Sequence, residues 1–298
     1  MITYATQFTE RNEAVNIVER FSFYLEQEGK SINTIKGYTL DLKQYMRWFK
    51  ESYDRDLTNL YRQNVLEYIS FLRNIRMLNA KTINHKVSGL AKFNAFLIQE
   101  GIQEDQVIFK TDMMKVQTSY ASPTKITDIE VKNFLQDVLE NKNKRNYAIV
   151  ILLAYTGLRI SEALSIKMND FNLQTGECII RNGKGEKQRV VLLNSKVIHA
   201  LRDYLLERKA YSVAQQSPYL FISKKREKLD RTVVNRIFRS YSEMITPHQL
   251  RHFFCTNAIE KGFSIHEVAN QAGHSNIHTT LLYTNPNQLQ LKNKMELL

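Results

Sequence analysis

Apolar side chains recur at helical spacing along almost the whole chain, and one stretch breaks that rhythm. Between Asp170 and Leu193 the spacing changes to two, first over Glu177 to Arg181 and again over Gln188 to Leu193. Side chains alternate across a strand but return every three or four residues on a helix, so this change confines the β content to one small sheet. Asn182-Gly183-Lys184-Gly185, between the two runs, is a hairpin signal. The fold class that follows is mainly α with a small β-sheet.

The helical remainder falls into two parts. The first reads as four helices. Glu13 to Glu28 carries Val15, Ile17, Val18, Phe21, Tyr24 and Leu25, and Gly29 stops it. Ser31 can cap the second, with Ile35, Tyr38, Leu42, Tyr45, Met46 and Phe49 in its stripe. A third runs from near Gln63 to Ile75, and a fourth from Ala80 to Gln99, ended by Gly101. The aromatic residues in these stripes sit at core spacing. In the second part Thr127-Asp-Ile-Glu130 is a capping box that opens a helix to about Glu140. Further helices are expected at Arg145 to Tyr155, Lys196 to Lys209, Thr232 to Tyr241, Pro247 to Lys261 and Ile265 to Ala272, and another pattern begins at Ile277. Lys110 to Thr124 has little apolar periodicity, and Ser122-Pro123 disfavours helix. The expected organisation is a four-helix domain at 1–109, a linker at 110–122, and a mixed α+β domain at 123–298 with a tail at 287–298.

The chain is 298 residues long with a net charge of +12. So basic a chain favours polyanionic partners, nucleic acid first among them. The charge is uneven. Residues 1–122 hold 16 basic and 14 acidic side chains, a net of +2, and residues 123–298 hold 26 and 16, a net of +10. Cys178 and Cys255 make no disulfide framework and lack Cys-x-x-Cys spacing. No apolar run reaches the roughly 18 residues of a membrane span, and Met1 to Arg20 has no signal-peptide core. The expected setting is a reducing cytoplasm, with no membrane partner. In the first part, Lys81, His85, Lys86 and Lys92 lie on the fourth helix, and Arg73 and Arg76 close the third. They form either a solvated helix face or a helix pair laid against a duplex, with cations on phosphates.

Four motifs carry chemistry. In Thr156-Gly-Leu-Arg-Ile-Ser-Glu-Ala-Leu164, a glycine turns the chain after an apolar helix and places Arg159 at a mouth, with Glu162 one turn away to fix its guanidinium. Taken alone, this is equally a surface salt bridge. In Gly183-Lys-Gly-Glu-Lys-Gln-Arg189, two glycines flank Lys184, and Lys187 is a second candidate in the same loop. In His248-Gln-Leu-Arg-His252, after Thr246-Pro247, His248 and Arg251 share one helix face near its N-terminus. In Ala272-Gly-His-Ser-Asn-Ile-His-Thr-Thr-Leu-Leu-Tyr-Thr284, His274 follows a glycine and Tyr283 lies nine residues on. His248, His252, His274 and His278 have no acidic residue at ligand spacing, so no metal site is expected. Phosphate-loop, dinucleotide and nucleophile-elbow motifs are absent.

In this order and company, Arg159, Lys184, His248-x-x-Arg251, Gly273-His274 and Tyr283 resemble the active-site set of the tyrosine recombinases, the phage-integrase and Xer-like family. The resemblance spans nearly the whole chain. It implies a SAM-like core-binding domain first and a tyrosine-recombinase catalytic domain second. The residues ahead of Glu13 are too few for an arm-binding module, so the two-domain form is expected. Ala272 stands where a leucine usually precedes Gly-His, and Asn285-Pro-Asn287 follows Thr284 in place of a more common His. Neither change removes a reacting group.

The resemblance implies a site-specific DNA recombinase. Tyr283 would attack a phosphodiester and form a 3′-phosphotyrosine. Arg159, Arg251 and His274 would hold the phosphate oxygens, Lys184 would protonate the leaving 5′-oxygen, and His248 would assist proton removal. No cofactor or metal is expected. The implied partners are double-stranded DNA at inverted-repeat core sites and a homotetramer in which the tail at 287–298 docks in trans. Integration, excision and resolution by a mobile element or a Xer-like system stay open, as do accessory proteins. The alternatives are a type IB-like topoisomerase and a catalytically silent DNA-binding relative.

Overall fold

The computed structural model describes residues 17–116, 126–181, 188–225, 227–274, 280 and 296. The chain divides into two compact units, Met1–Gln117 and Thr118–Leu298.

In the first unit a helix, α1, runs through 17–27. It is followed by α2 (Ile32–Tyr53), α3 (Arg62–Ser70) and α4 (Ala80–Gln99). The sequence marks several of these ends. Ser31 accepts from the Thr34 backbone N–H at 3.3 Å, and Asn79 does the same for Thr82 at 2.9 Å, each satisfying one of the partnerless N–H groups of a helix start. Phe21, Tyr45, Phe49, Tyr68, Phe93 and Phe96 are all buried, which confirms that the aromatic stripes are core. α2 packs on α4 where Gly89 meets Tyr38; a Cβ at residue 89 would sit 3.2 Å from the Tyr38 ring. The end of α3 departs from expectation. Phe71–Ile75 winds as a π-turn that carries Arg73 and is capped by Arg76, whose N–H donates to the Phe71 carbonyl.

The segment expected as a linker, 110–122, is bound into the first unit at its start. Lys110–Asp112 forms a 3-10 turn. Both Asp112 oxygens accept from the Arg62 guanidinium, at 2.5 and 2.7 Å. The Asn84 amide brackets the Met114 backbone with two 2.8 Å bonds. These anchors are polar, so apolar periodicity does not report them.

The second unit is built around α6 (Lys144–Thr156), whose residues from Ala148 to Ala154 are all buried. Around it pack α5 (Asp128–Glu140), α8 (Ser195–Arg208) and α10 (Pro247–Glu260). A helix buried all round must be apolar all round, which explains its weak periodicity. The Thr127–Glu130 capping box forms as read. The sheet has the order β1 (Phe171–Asn172), β2 (Glu177–Ile180) and β3 (Arg189–Leu192), antiparallel throughout, with Cys178 opposite Val191 and Ile180 opposite Arg189. β1 was not foreseen, because two residues are too short to show a period. Cys178, Ile180 and Val191 face the core. α7 (Ile160–Ala163), α9 (Arg231–Tyr241) and α11 (Ile265–Ala272) complete the unit. The hairpin tip with Lys184 and Lys187, the pattern from Ile277 holding Tyr283, and almost all of the tail at 287–298 lie outside the described residues. Among the described residues, no helix is long and apolar enough to cross a membrane.

Candidate active site

The site forms at the C-terminal end of α11, where three arginines meet. α6 stops at Gly157, in the left-handed region at φ +63°. A Cβ there would lie 2.4 Å from the Phe254 ring on α10, so α10 packs against bare backbone. Leu158 is fully buried and fixes the next turn. Arg159 then caps α7: its backbone N–H donates to Glu162 Oε2 at 2.9 Å. Its guanidinium Nη1 donates to Glu162 Oε1 at 3.0 Å and to the Gly273 carbonyl at 2.8 Å.

Glu162 is the hub. Its side chain is 2% exposed and also accepts both terminal nitrogens of Arg189, at 3.1 and 2.9 Å. Burial pushes its carboxyl up. The Arg189 bonds, the Arg159 N–H and the two guanidinium charges outweigh that and hold it below the usual carboxylate range. Arg189 goes on to the Ala272 and Gln271 carbonyls, at 3.2 and 3.4 Å. Arg251, buried on α10, donates to the Gly157 carbonyl at 2.5 Å and also to that of Ala272. The last carbonyls of a helix have no partner within it and carry partial negative charge. Guanidinium groups fit there, and they tie α6, α7, α10 and β3 to one point.

Gly273 ends α11 at φ +72°, and the next residue, His274, turns back so that its N–H reaches the Ala269 carbonyl at 2.9 Å. The Nδ1 atom of His274 pairs with Thr280 Oγ1 at 2.7 Å, and Thr280 is fully buried. Burial first, then the charges of Arg251 and Arg159, bring the His274 pKa down to about 4, so its imidazole is neutral near pH 7. On the first turns of α10, the Nε2 atoms of His248 and His252 lie 2.8 Å apart. His252 falls to about 4, through burial and then through His248 and Arg251.

The structure therefore brings together Arg159, Glu162, Arg251 and His274, with His248 one turn from Arg251. Lys184 and Tyr283 lie outside the described residues. Sequence reasoning missed Arg189, Gln271, Thr280 and the role of His252. Gln271 is legible only in three dimensions, where its amide pairs with both the N–H and the carbonyl of Leu192 on β3, at 3.1 and 2.8 Å. Among the described residues no group of three or more His, Cys, Asp or Glu side chains could hold a metal ion.

In the first unit, Lys81, Arg73 and Arg76 are exposed. Two other expected DNA contacts differ from the solvent-facing reading. Lys86 is 11% exposed and pairs with the buried Asp41 at 2.8 Å and with Gln44. Lys92 pairs with Glu28 at 2.6 Å. Asp41 lies on α2 and Glu28 in the turn after α1, so neither pairing shows in the local sequence.

Comparison with known proteins gives a consistent picture. Residues 125–290 match the phage integrase family, and residues 18–101 match the phage integrase N-terminal SAM-like domain. The chain is 77% identical over 284 residues to the TnP I resolvase of Bacillus thuringiensis, covering 95% of this chain and 100% of that protein. It is 32% identical over 287 residues to the tyrosine recombinase XerA of Pyrococcus furiosus, covering 94% and 93%. Its fold resembles that of the Tn1549 transposon integrase, solved in complex with transposon right end DNA. The TM-score is 0.69 at 22% identity, over 95% of this chain and 99% of that one.

Proposed function

The chain belongs to the phage integrase family of tyrosine recombinases, and from that premise we propose that it resolves DNA by breaking and rejoining strands at a specific double-stranded site. Site-specific recombination is the function of this family, and resolution follows the 77% identity to a protein named as a resolvase. One observation carries the chemical reading: Arg159, Arg251 and His274, from three separate segments, converge on the end of α11.

In this reading the phenolic oxygen of Tyr283 attacks the scissile phosphorus. The bond to the 5′-oxygen breaks, and a 3′-phosphotyrosine forms. Arg159 and Arg251 hold the non-bridging oxygens as charge builds on them. His274 Nδ1 pairs with the Thr280 hydroxyl; with the hydroxyl as donor the imidazole proton sits on Nε2, and a neutral His274 then serves as a hydrogen-bond donor. Lys184 gives the 5′-oxygen its proton, and His248 assists removal of the Tyr283 proton, since a free phenol has a pKa near 10. Exchange follows when a 5′-hydroxyl of the partner duplex attacks the phosphotyrosine. The bond energy stays in the protein–DNA link, so the cycle needs neither nucleotide nor metal.

Two duplexes at inverted-repeat sites present four strands, so four protomers act together, linked by the tail at 287–298. Of the five cations expected at DNA, the exposed Lys81, Arg73 and Arg76 suit phosphate contact best. Lys86 and Lys92 would act by exchanging a carboxylate partner for a phosphate.

A nicked duplex carrying the site, selected by the protein from a random-sequence pool, tests the reading. Wild type should be trapped as a covalent adduct, and Tyr283→Phe should bind the same duplex and form none. An adduct with the Phe variant would refute the assignment. A plasmid with two direct copies of the site should yield two circles.

A further inference from the structure

We infer that Arg189 is a positioning residue for strand cleavage: through Glu162 it aims the guanidinium of Arg159, and through the end of α11 it sets the place of His274. The inference rests on the functional reading above, and it concerns a residue to which that reading gives no part.

The side chain of Arg189 is 10% exposed, which is unusual for an arginine without a structural task. It begins β3, opposite Ile180, and stands two residues past the segment 182–187 that holds Lys184. Its two terminal nitrogens occupy one edge of the Glu162 carboxylate. That arrangement decides how Arg159 is held. With Arg189 on the carboxylate, Arg159 gives Glu162 and Gly273 a single nitrogen, Nη1. Nε and Nη2 of Arg159 make no hydrogen bond among the described residues, and the side chain is 32% exposed. A planar fork with one nitrogen anchored and two presented outward is the form in which arginine grips a phosphate.

Without Arg189, Glu162 remains a buried carboxylate whose named cation is Arg159. It would draw more of that guanidinium inward, away from a phosphate. The same loss would release the Gln271 carbonyl and leave that of Ala272 to Arg251 alone, just before Gly273 and His274. Gly273 supplies an independent sign of the fit. A Cβ at residue 273 would fall 2.3 Å from the centre of the Arg189 guanidinium, which lies flat against bare backbone. Arg189 thus joins the strand following Lys184 to the helix end preceding His274, with Arg159 between.

Full-length Arg189→Met, Arg189→Lys, Glu162→Gln and the Met/Gln double variant test this. The measurements are affinity for the selected duplex and single-turnover cleavage of its nicked form. A displacement on the order of 1 Å costs about 100-fold in rate, so Arg189→Met should bind like wild type and cleave about 100-fold more slowly. Arg189→Lys keeps the charge and loses the paired geometry, so it should fall between. If Arg189 acts through Glu162, the double variant should cleave no more slowly than Arg189→Met. A wild-type rate in Arg189→Met, or losses that multiply in the double variant, would overturn the inference. Should Arg189→Met fail to fold, Arg189→Lys decides: a reduced rate at unchanged affinity supports positioning, and an unchanged rate refutes it. A wild-type protein that forms no adduct strikes instead at the functional reading.

Discussion

Gly157→Ala perturbs the site through its scaffold, and its cost can be worked from two independent contributions. The residue sits at φ +63°, where a side chain costs about 1–2 kcal/mol. The new methyl would also meet the Phe254 ring, at 2.4 Å from Cδ1 and 2.9 Å from Cε1. Forcing an extra carbon into such packing costs about 1–3 kcal/mol. Together these give about 2–5 kcal/mol. At about 2–4 °C per kcal/mol for a domain of this size, the melting temperature should fall by about 4–20 °C. Activity should fall further than stability, because the Gly157 carbonyl accepts from Arg251 and Arg159 follows two residues later. Thermal unfolding followed by circular dichroism gives the first quantity, and single-turnover cleavage the second. Phe254→Leu separates the two causes. In that background the steric part should shrink while the backbone part remains, so the cost of Gly157→Ala should drop to about 1–2 kcal/mol. Two results would refute the reasoning: Gly157→Ala melting like wild type, or a cost that stays undiminished in the Phe254→Leu background.

Acid should destabilise the protein between pH 6.5 and about 4. His252 and His274 titrate near 4 when folded and at their ordinary 6.5 when unfolded, so the unfolded chain binds more protons in that window and stability falls as pH falls. His252→Gln should flatten the pH dependence of the melting temperature, and an unchanged slope would count against it. Thr280→Val removes the buried partner of His274 and should cost about 1–3 kcal/mol while slowing cleavage at constant DNA affinity; an unchanged cleavage rate would remove Thr280 from the site. Asp41→Asn leaves the half-buried Lys86 without its carboxylate, and His85 as well. Denaturant unfolding should show a loss of about 1–3 kcal/mol, and no loss would mean that the pair is solvated.

Elements with their own punctuation were legible in the sequence. α11 forms over the residues its pattern marks, Ile265 to Ala272, with Gly273 at its end and Ser264 capping its start in the structure, and α10 begins at Pro247 as expected. The motifs around Arg159, His248, Arg251 and His274 are short and ordered, so these candidates could be picked out from sequence, and Arg159, Arg251 and His274 do meet at the end of α11. What stayed hidden depends on partners far away in sequence. Arg189 gains its meaning from Glu162, 27 residues earlier, and from Ala272, 83 residues later. Lys86 looked like a surface cation because Asp41 is 45 residues away. The π-turn at Phe71–Ile75 arises from a change in backbone bonding that leaves the apolar pattern almost intact.

The end of α11 has one more consequence, and it concerns charge. Arg159, Arg189 and Arg251 all donate to main-chain carbonyls there. A carbonyl dipole orients a guanidinium and leaves its charge uncancelled, whereas a carboxylate would orient it and cancel its charge. Among the described residues of this network Glu162 is the one carboxylate, so three positive groups stand against one negative group. A phosphodiester brings one negative charge, and its crowded transition state develops a second, which matches the surplus. The same surplus is self-repelling when no anion shares it. In the proposed reaction DNA binding would therefore do more than load a substrate: it would relieve a repulsion held by the helix end, and added salt should weaken that relief.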